Sequence, residues 1–197
     1  MNKFTACPTD CSPLVLPILD VNQDCFSAES VYTSQITDII LMSKTNGLGV
    51  ANTFPTAHTA AAWATVIDNT DVTGSKAKRI RVVGTMPAPE VTTVTLPKFK
   101  TITKYRTYTL TGAIQQFTQN NFEFLKNLMC GGFAGYVWFC TEDFIFGGLS
   151  AQMAIEVKTV DANIVFDGGD ENSYMTGNIV VTFRTTTFPP SASNLMF

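Results

Sequence analysis

Residues 100–110 read Lys-Thr-Ile-Thr-Lys-Tyr-Arg-Thr-Tyr-Thr-Leu. Ile102, Lys104, Arg106, Tyr108 and Leu110 fill one set of alternate positions; Thr101, Thr103, Tyr105, Thr107 and Thr109 fill the other. Successive side chains leave a β-strand on opposite faces, so alternation of this length predicts a strand, here with both faces partly polar. The whole chain shares the bias of this stretch, with 28 threonines and 15 phenylalanines among 197 residues. β-branched and aromatic side chains suit a pleated, half-buried surface.

Further strand signals lie on both sides. Upstream, Ile36, Ile39, Ile40 and Leu41 cluster within 35–42, and Asn46-Gly47 marks a turn. Segments 76–85 and 91–96 read as two more strands, punctuated by Pro87, Pro89 and Pro97. Downstream, Phe133–Cys140 is a strongly apolar strand, Glu142-Asp143 a turn and Phe144–Gly148 the start of a return strand. Residues 153–160 and 178–185 complete the series.

Two helices are expected. One spans about 57–67, alanine-rich and stopped by Asp68-Asn69. The other spans about 114–129, with Asn120 as cap, Glu123 as its capping-box partner, an apolar face of Phe124, Leu125 and Leu128, and Gly131 as terminator. Pro8, Pro13 and Pro17 make 1–30 an extended N-terminal arm, and 189–197 reads as a C-terminal tail. The fold expected is mainly β: one β-sandwich or small barrel-like domain over 31–188, with two helices and extended ends.

Charged residues make up 15% of the chain and hydrophobic residues 45%, against about 25% charged in an average soluble domain. So few charges leave a monomer short of polar cover, which points to burial by partner subunits. The alternative is a large core beneath a threonine-coated surface. No apolar run is long enough to cross a membrane as a helix, and the first residues lack a signal-peptide core. Residence in a reducing cytoplasm is expected, and the five cysteines do not suggest a disulfide scaffold.

Charge is blocked along the chain. Residues 76–106 hold Lys76, Lys78, Arg79, Arg81, Lys98, Lys100, Lys104 and Arg106 against Glu90 alone, while both flanks are net acidic. These eight cations are a candidate inter-subunit surface for head-to-tail association, or a patch for phosphate backbones. Folding could also intersperse them in space. The loop Asp167, Asp170, Glu171 is a candidate acidic surface at a lumen or interface; it lacks the ligand pattern of an EF-hand.

Catalytic and metal chemistry is poorly provided for. Cys7 and Cys11 form a C-x₃-C pair with Cys25 further on, but Cys130 and Cys140 stand ten residues apart without zinc-knuckle spacing. His58 is the only histidine, in an alanine-rich segment without a nucleophile motif. Glu142 and Asp143 are adjacent on a turn and point different ways. No P-loop, Rossmann or nucleophile-elbow pattern occurs. No cofactor, metal or enzymatic activity is expected.

The half of the chain from Tyr108 to Phe188 resembles the tail-tube proteins of tailed bacteriophages. The resemblance rests on the helix end Phe122–Leu128, the hydrophobic hairpin Tyr136–Gly147 and the closing strand Thr176–Phe183. It implies a β-sandwich or small barrel with a flanking helix, closing into rings, usually hexameric, that stack into a tube conducting DNA. Its partners would be copies of itself, other virion proteins and DNA passing without specific binding, with no membrane. Its place would be the virion, after synthesis in the host cytoplasm. The acidic C-terminal part would suit a lumen, with residues 76–106 facing the next ring. Two other readings stand beside it. One is a capsid decoration, neck or connector protein. The other is a nucleic-acid-binding β domain using Lys76 to Arg106, with Tyr105 and Tyr108 stacking on bases.

Overall fold

The computed structural model describes residues 35–97, 100–114, 118–130, 133–165 and 176–193. The expected arm 1–30 and the acidic loop Asp167, Asp170, Glu171 lie outside these residues.

Among the described residues nine strands and two helices follow one another: β1 (Ile36–Ser43), α1 (Ala60–Ala64), β2 (Lys78–Thr85), β3 (Glu90–Leu96), β4 (Lys100–Ile114), α2 (Gln119–Cys130), β5 (Gly135–Cys140), β6 (Phe144–Phe146), β7 (Ile155–Val165), β8 (Thr176–Thr185) and β9 (Ser191–Ser193). The strand order β1-β2-β4-β8-β7-β5 returns to its start because β5 also pairs with β1, from Asp38 opposite Cys140 to Ser43 opposite Gly135. The result is a closed six-stranded barrel, the second of the two architectures expected. β3 hangs on β4 outside the barrel, and β6 and β9 extend from β5.

A barrel this narrow is filled by its own side chains. Ile39, Leu41, Val82, Leu110, Val137, Phe139, Ile179, Val181 and Phe183 pack inside it, with Leu125 and Leu128 of α2. β5 and β7 pair only through Tyr136–Glu156 and Val137–Ile155, and α2 packs against β7. The helix thus covers an edge that strand pairing leaves open, which explains its apolar face.

A second cluster sits on the outer wall of β1 and β5. Ile40, Met42, Trp138 and Cys140 turn outward there and are covered by Trp63, Val66, Ala77 and Ile145. β1 is therefore buried on both faces, and its Ile39–Met42 stretch reads as an unbroken apolar run, whereas β4 faces solvent on one side and alternates. Gly147, at φ +128°, lets the chain pass against Trp138: a Cβ there would lie 2.3 Å from the indole ring. Trp138 Nε1 donates to the Gly148 carbonyl at 2.9 Å.

Four expectations need correction. The first helix is only Ala60–Ala64; Thr59 caps it, and Thr65 turns its hydroxyl back onto the Ala62 carbonyl at 2.7 Å, closing it early. His58 therefore precedes the helix. The second helix begins at Gln119 rather than near 114, because Ile114 still belongs to β4 and pairs with Gly177. Its cap is Thr118, whose hydroxyl accepts from the Asn121 N–H at 3.3 Å; Glu123 bonds Gln119 instead. Finally, the segment expected as a C-terminal tail contains β9, which pairs with β6 and so lengthens the extension that leaves the barrel at β5.

Candidate functional site

β4 lies in two environments. From Arg106 to Ile114 it pairs with β8, and its last four residues also pair with β2. From Lys100 to Tyr105 it pairs with β3 alone. This half is a two-stranded ribbon that continues past the barrel. All of β3 except half-buried Thr92 is exposed, as are Lys100 to Lys104. Val91, Val94, Leu96 and Ile102 remain 50%, 37%, 39% and 40% exposed, so the ribbon has no core.

Register fixes its faces. Tyr108 and Leu110 point into the barrel, so Thr107 and Thr109 point outward. Thr92 lies opposite Tyr105 and Thr93 opposite Thr103, which makes Lys104 the extra residue of a bulge. The outward face of the ribbon then carries Lys100, Ile102 and Tyr105 on one strand, and Glu90, Thr92, Val94 and Leu96 on the other; the bulged Lys104 joins it through its approach to the Tyr105 ring. The opposite face is a threonine ladder, Thr93 with Thr103 and Thr95 with Thr101, ending at Val91 with Arg106.

Arg184 joins the outward face. It lies opposite Thr107 in β8, and its guanidinium carbon stands 4.5 Å from the Tyr105 ring centroid, with Lys104 Nζ at 5.9 Å. A cation over an aromatic face is held by the ring quadrupole. Arg184 was not among the sequence candidates. It lies 78 positions from Arg106, and only the strand register brings them together.

The expected basic surface is therefore split. Lys76 donates to the Thr65 carbonyl at 2.6 Å. Lys78 donates to the carbonyls of Asp68, at 2.8 Å, and Asp71. Arg79 Nε pairs with Asp38 at 2.7 Å, where the carboxylate is 5% exposed. Lys76 and Lys78 hold the 65–71 segment to the start of β2, Arg79 ties β2 to β1 within the barrel wall, and none of the three belongs to an outward patch. Arg81 is exposed and borders an open cleft of about 540 Å³ between β2 and the start of α2. Lys100 and Lys104 belong to the ribbon, Arg106 lies where it joins the barrel, and Lys98 lies outside the described residues.

The same loop explains its acids. Asp71 accepts from Thr73, at 3.0 Å from its N–H and 2.6 Å from its hydroxyl, and from the Lys76 N–H at 2.9 Å. These bonds hold its carboxyl well below the usual range, and bonds from Thr70 lower that of Asp68. Burial pushes the Cys140 thiol up to about 12, with Asp38 adding to the shift; such a thiol is inert. Cys130 is exposed. Tyr108 is 3% exposed and stacks on Phe183 at 5.2 Å, so of the two tyrosines expected to stack on bases only Tyr105 is accessible. Glu142 and Asp143 are exposed on a bend. Among the described residues no group of three histidine, cysteine or acidic side chains could hold a metal ion, and no helix is long and apolar enough to cross a membrane.

No protein family matches this chain, and no curated protein or solved structure does either.

Proposed function

We propose that this protein is a structural subunit that joins copies of itself into rings, of the kind that stack into a phage tail tube and let DNA pass. The observation that carries the reading is the open edge of the ribbon. Over Glu90–Leu96 β3 has a strand on one side only among the described residues, and a lone two-stranded ribbon is marginally stable in water. A neighbour's strand laid along β3 satisfies those backbone groups and turns two strands into a sheet. The closed barrel supports the same reading, since it supplies a rigid body from which such an edge can be presented. Repetition of that contact with a fixed rotation closes a ring, and six copies is the number the sequence resemblance implies. Other virion proteins would meet the ends of the tube, and the virion would be its place of residence.

Negative-stain electron microscopy with mass by light scattering tests this. Rings or open-ended tubes with a central hole are expected. A monomer at every concentration overturns the reading, and a compact trimer moves it to capsid decoration. Thr93→Glu with Thr95→Glu places like charges beside the open edge. This variant is expected to keep the melting temperature of the protomer and lose the rings.

A further inference from the structure

We propose that the outward face of the β3–β4 ribbon binds duplex nucleic acid without regard to sequence. Three cations share this face, Lys100 and Lys104 from β4 and Arg184 from β8, a strand distant in the chain. The ion pairs formed among the described residues, Lys44 with Glu156 and Arg79 with Asp38, involve none of the three. The only acid on this face of the ribbon is Glu90, at its barrel end opposite Thr107. Lys76, Lys78 and Arg79 are engaged by carbonyls and Asp38, which leaves Arg81 on β2 and the cations of the ribbon as the outward charge of the 76–106 block among the described residues.

Shape favours a duplex. The major groove, about 12 Å wide, admits a two-stranded β-ribbon. Four residues of extended chain separate Lys100 from Lys104, about 13 Å at strand rise. That span lets the two ammonium groups reach the phosphate backbones on either side of the groove. Between them the ribbon presents Ile102 and Val94, which fill space and offer no hydrogen bond to a base edge. Tyr105 lies beneath Arg184 and holds that guanidinium in place. Contacts of this kind position a protein on DNA and do not read sequence. Pairing along the β3 edge leaves this face uncovered, so a ring would carry one such face per subunit.

Fluorescence anisotropy of a labelled mixed-sequence DNA duplex against the purified full chain tests the inference. Binding at micromolar protein is expected, with a log–log salt slope of about −3, one phosphate per cation. Lys100→Gln, Lys104→Gln and Arg184→Gln together are expected to weaken binding about tenfold or more and flatten that slope. Arg81→Gln with Lys126→Gln, a control on other surfaces, is expected to leave it unchanged. Absence of binding at low salt, or equal loss in the control, overturns the inference. Equal affinity for polyglutamate, a polyanion without grooves, overturns the duplex assignment. The measurement uses the protomer and does not rest on ring formation: rings that assemble but bind no duplex leave the proposed function standing and remove this inference.

Discussion

β4 is one strand in two settings, and the contrast between them explains much of the molecule. In its barrel half, Tyr108, Leu110 and Ile114 are buried against strands that close around them, while Thr109 and Thr111 face water. In its ribbon half, Ile102 alternates with Thr101 and Thr103 in the same rhythm, but nothing stands opposite Ile102 except Val94 across the pair. A repeating pattern thus produces a core only where topology supplies a second layer. In the ribbon the pattern produces a surface, and apolar side chains left there have a use only when another molecule arrives.

The largest effect that tests this contrast is expected inside the barrel. Phe183 is fully buried, stacked on Tyr108 at 5.2 Å and near Phe139 at 6.1 Å. Phe183→Ala is expected to destabilise the protomer by about 4 kcal/mol in chemical denaturation, through lost transfer energy and an unfilled cavity. A loss below about 1 kcal/mol would mean that the barrel interior is not the cooperative unit.

Gly147→Ala probes the outer wall of the barrel. Its φ of +128° is one that side chains avoid, and its Cβ would enter the Trp138 ring. Destabilisation of about 3 kcal/mol is expected, from backbone strain and displacement of the indole. Loss of the Trp138 bond to the Gly148 carbonyl would accompany it and is readable as a shift in tryptophan fluorescence. An unchanged emission spectrum together with unchanged stability would remove this wall from the rigid part of the molecule.

The ribbon is expected to respond weakly. Ile102→Ala should change protomer stability by no more than about 0.5 kcal/mol, since the side chain has no core to leave. Amide exchange should be fast over Glu90–Leu96 and Lys100–Tyr105 in the protomer and slow over Thr107–Ile114. Protection of β3 appearing only on assembly would sharpen the contrast into a map of the interface. Protection already present in the protomer would break it.

The alternating stretch 100–110 specified its strand, and so did each of the apolar runs; what stayed hidden was how the strands close. Nothing in Asp38–Ser43 or Gly135–Cys140 says that these strands pair with each other, because closure depends on contacts about a hundred residues apart. The double burial of β1 left a trace in the run Ile39-Ile40-Leu41-Met42, which period alone could not distinguish from a strand buried on one face. Lys76 to Arg106 read as one basic block, yet Lys76, Lys78 and Arg79 are held by local carbonyls and by Asp38 while Arg81, Lys100 and Lys104 face water. Arg184 could not have been added to the set from sequence, since its place beside Tyr105 follows from pairing across β4 and β8.

The smallest expected effect decides whether the segment covering the barrel wall behaves as part of the barrel. His58 is half-buried beside Trp63, with ring centroids 6.3 Å apart, and its Nδ1 has no hydrogen-bond partner. Burial lowers its pKa below the ordinary value of 6.5, so the unfolded chain binds a proton more readily than the folded one. Stability is therefore undiminished above pH 6.5 and declines as the pH falls from there through the lower folded value. Asp68 and Asp71 act in a separate window: their carboxyls are also lowered, and the stability they contribute is lost only below their ordinary value of 3.8. A small drop in melting temperature below pH 6.5, abolished in His58→Gln, is expected. If the drop survives in His58→Gln, another group is its source. If it is absent from the native protein, the imidazole reaches water freely, and the covering segment opens independently of the barrel beneath it.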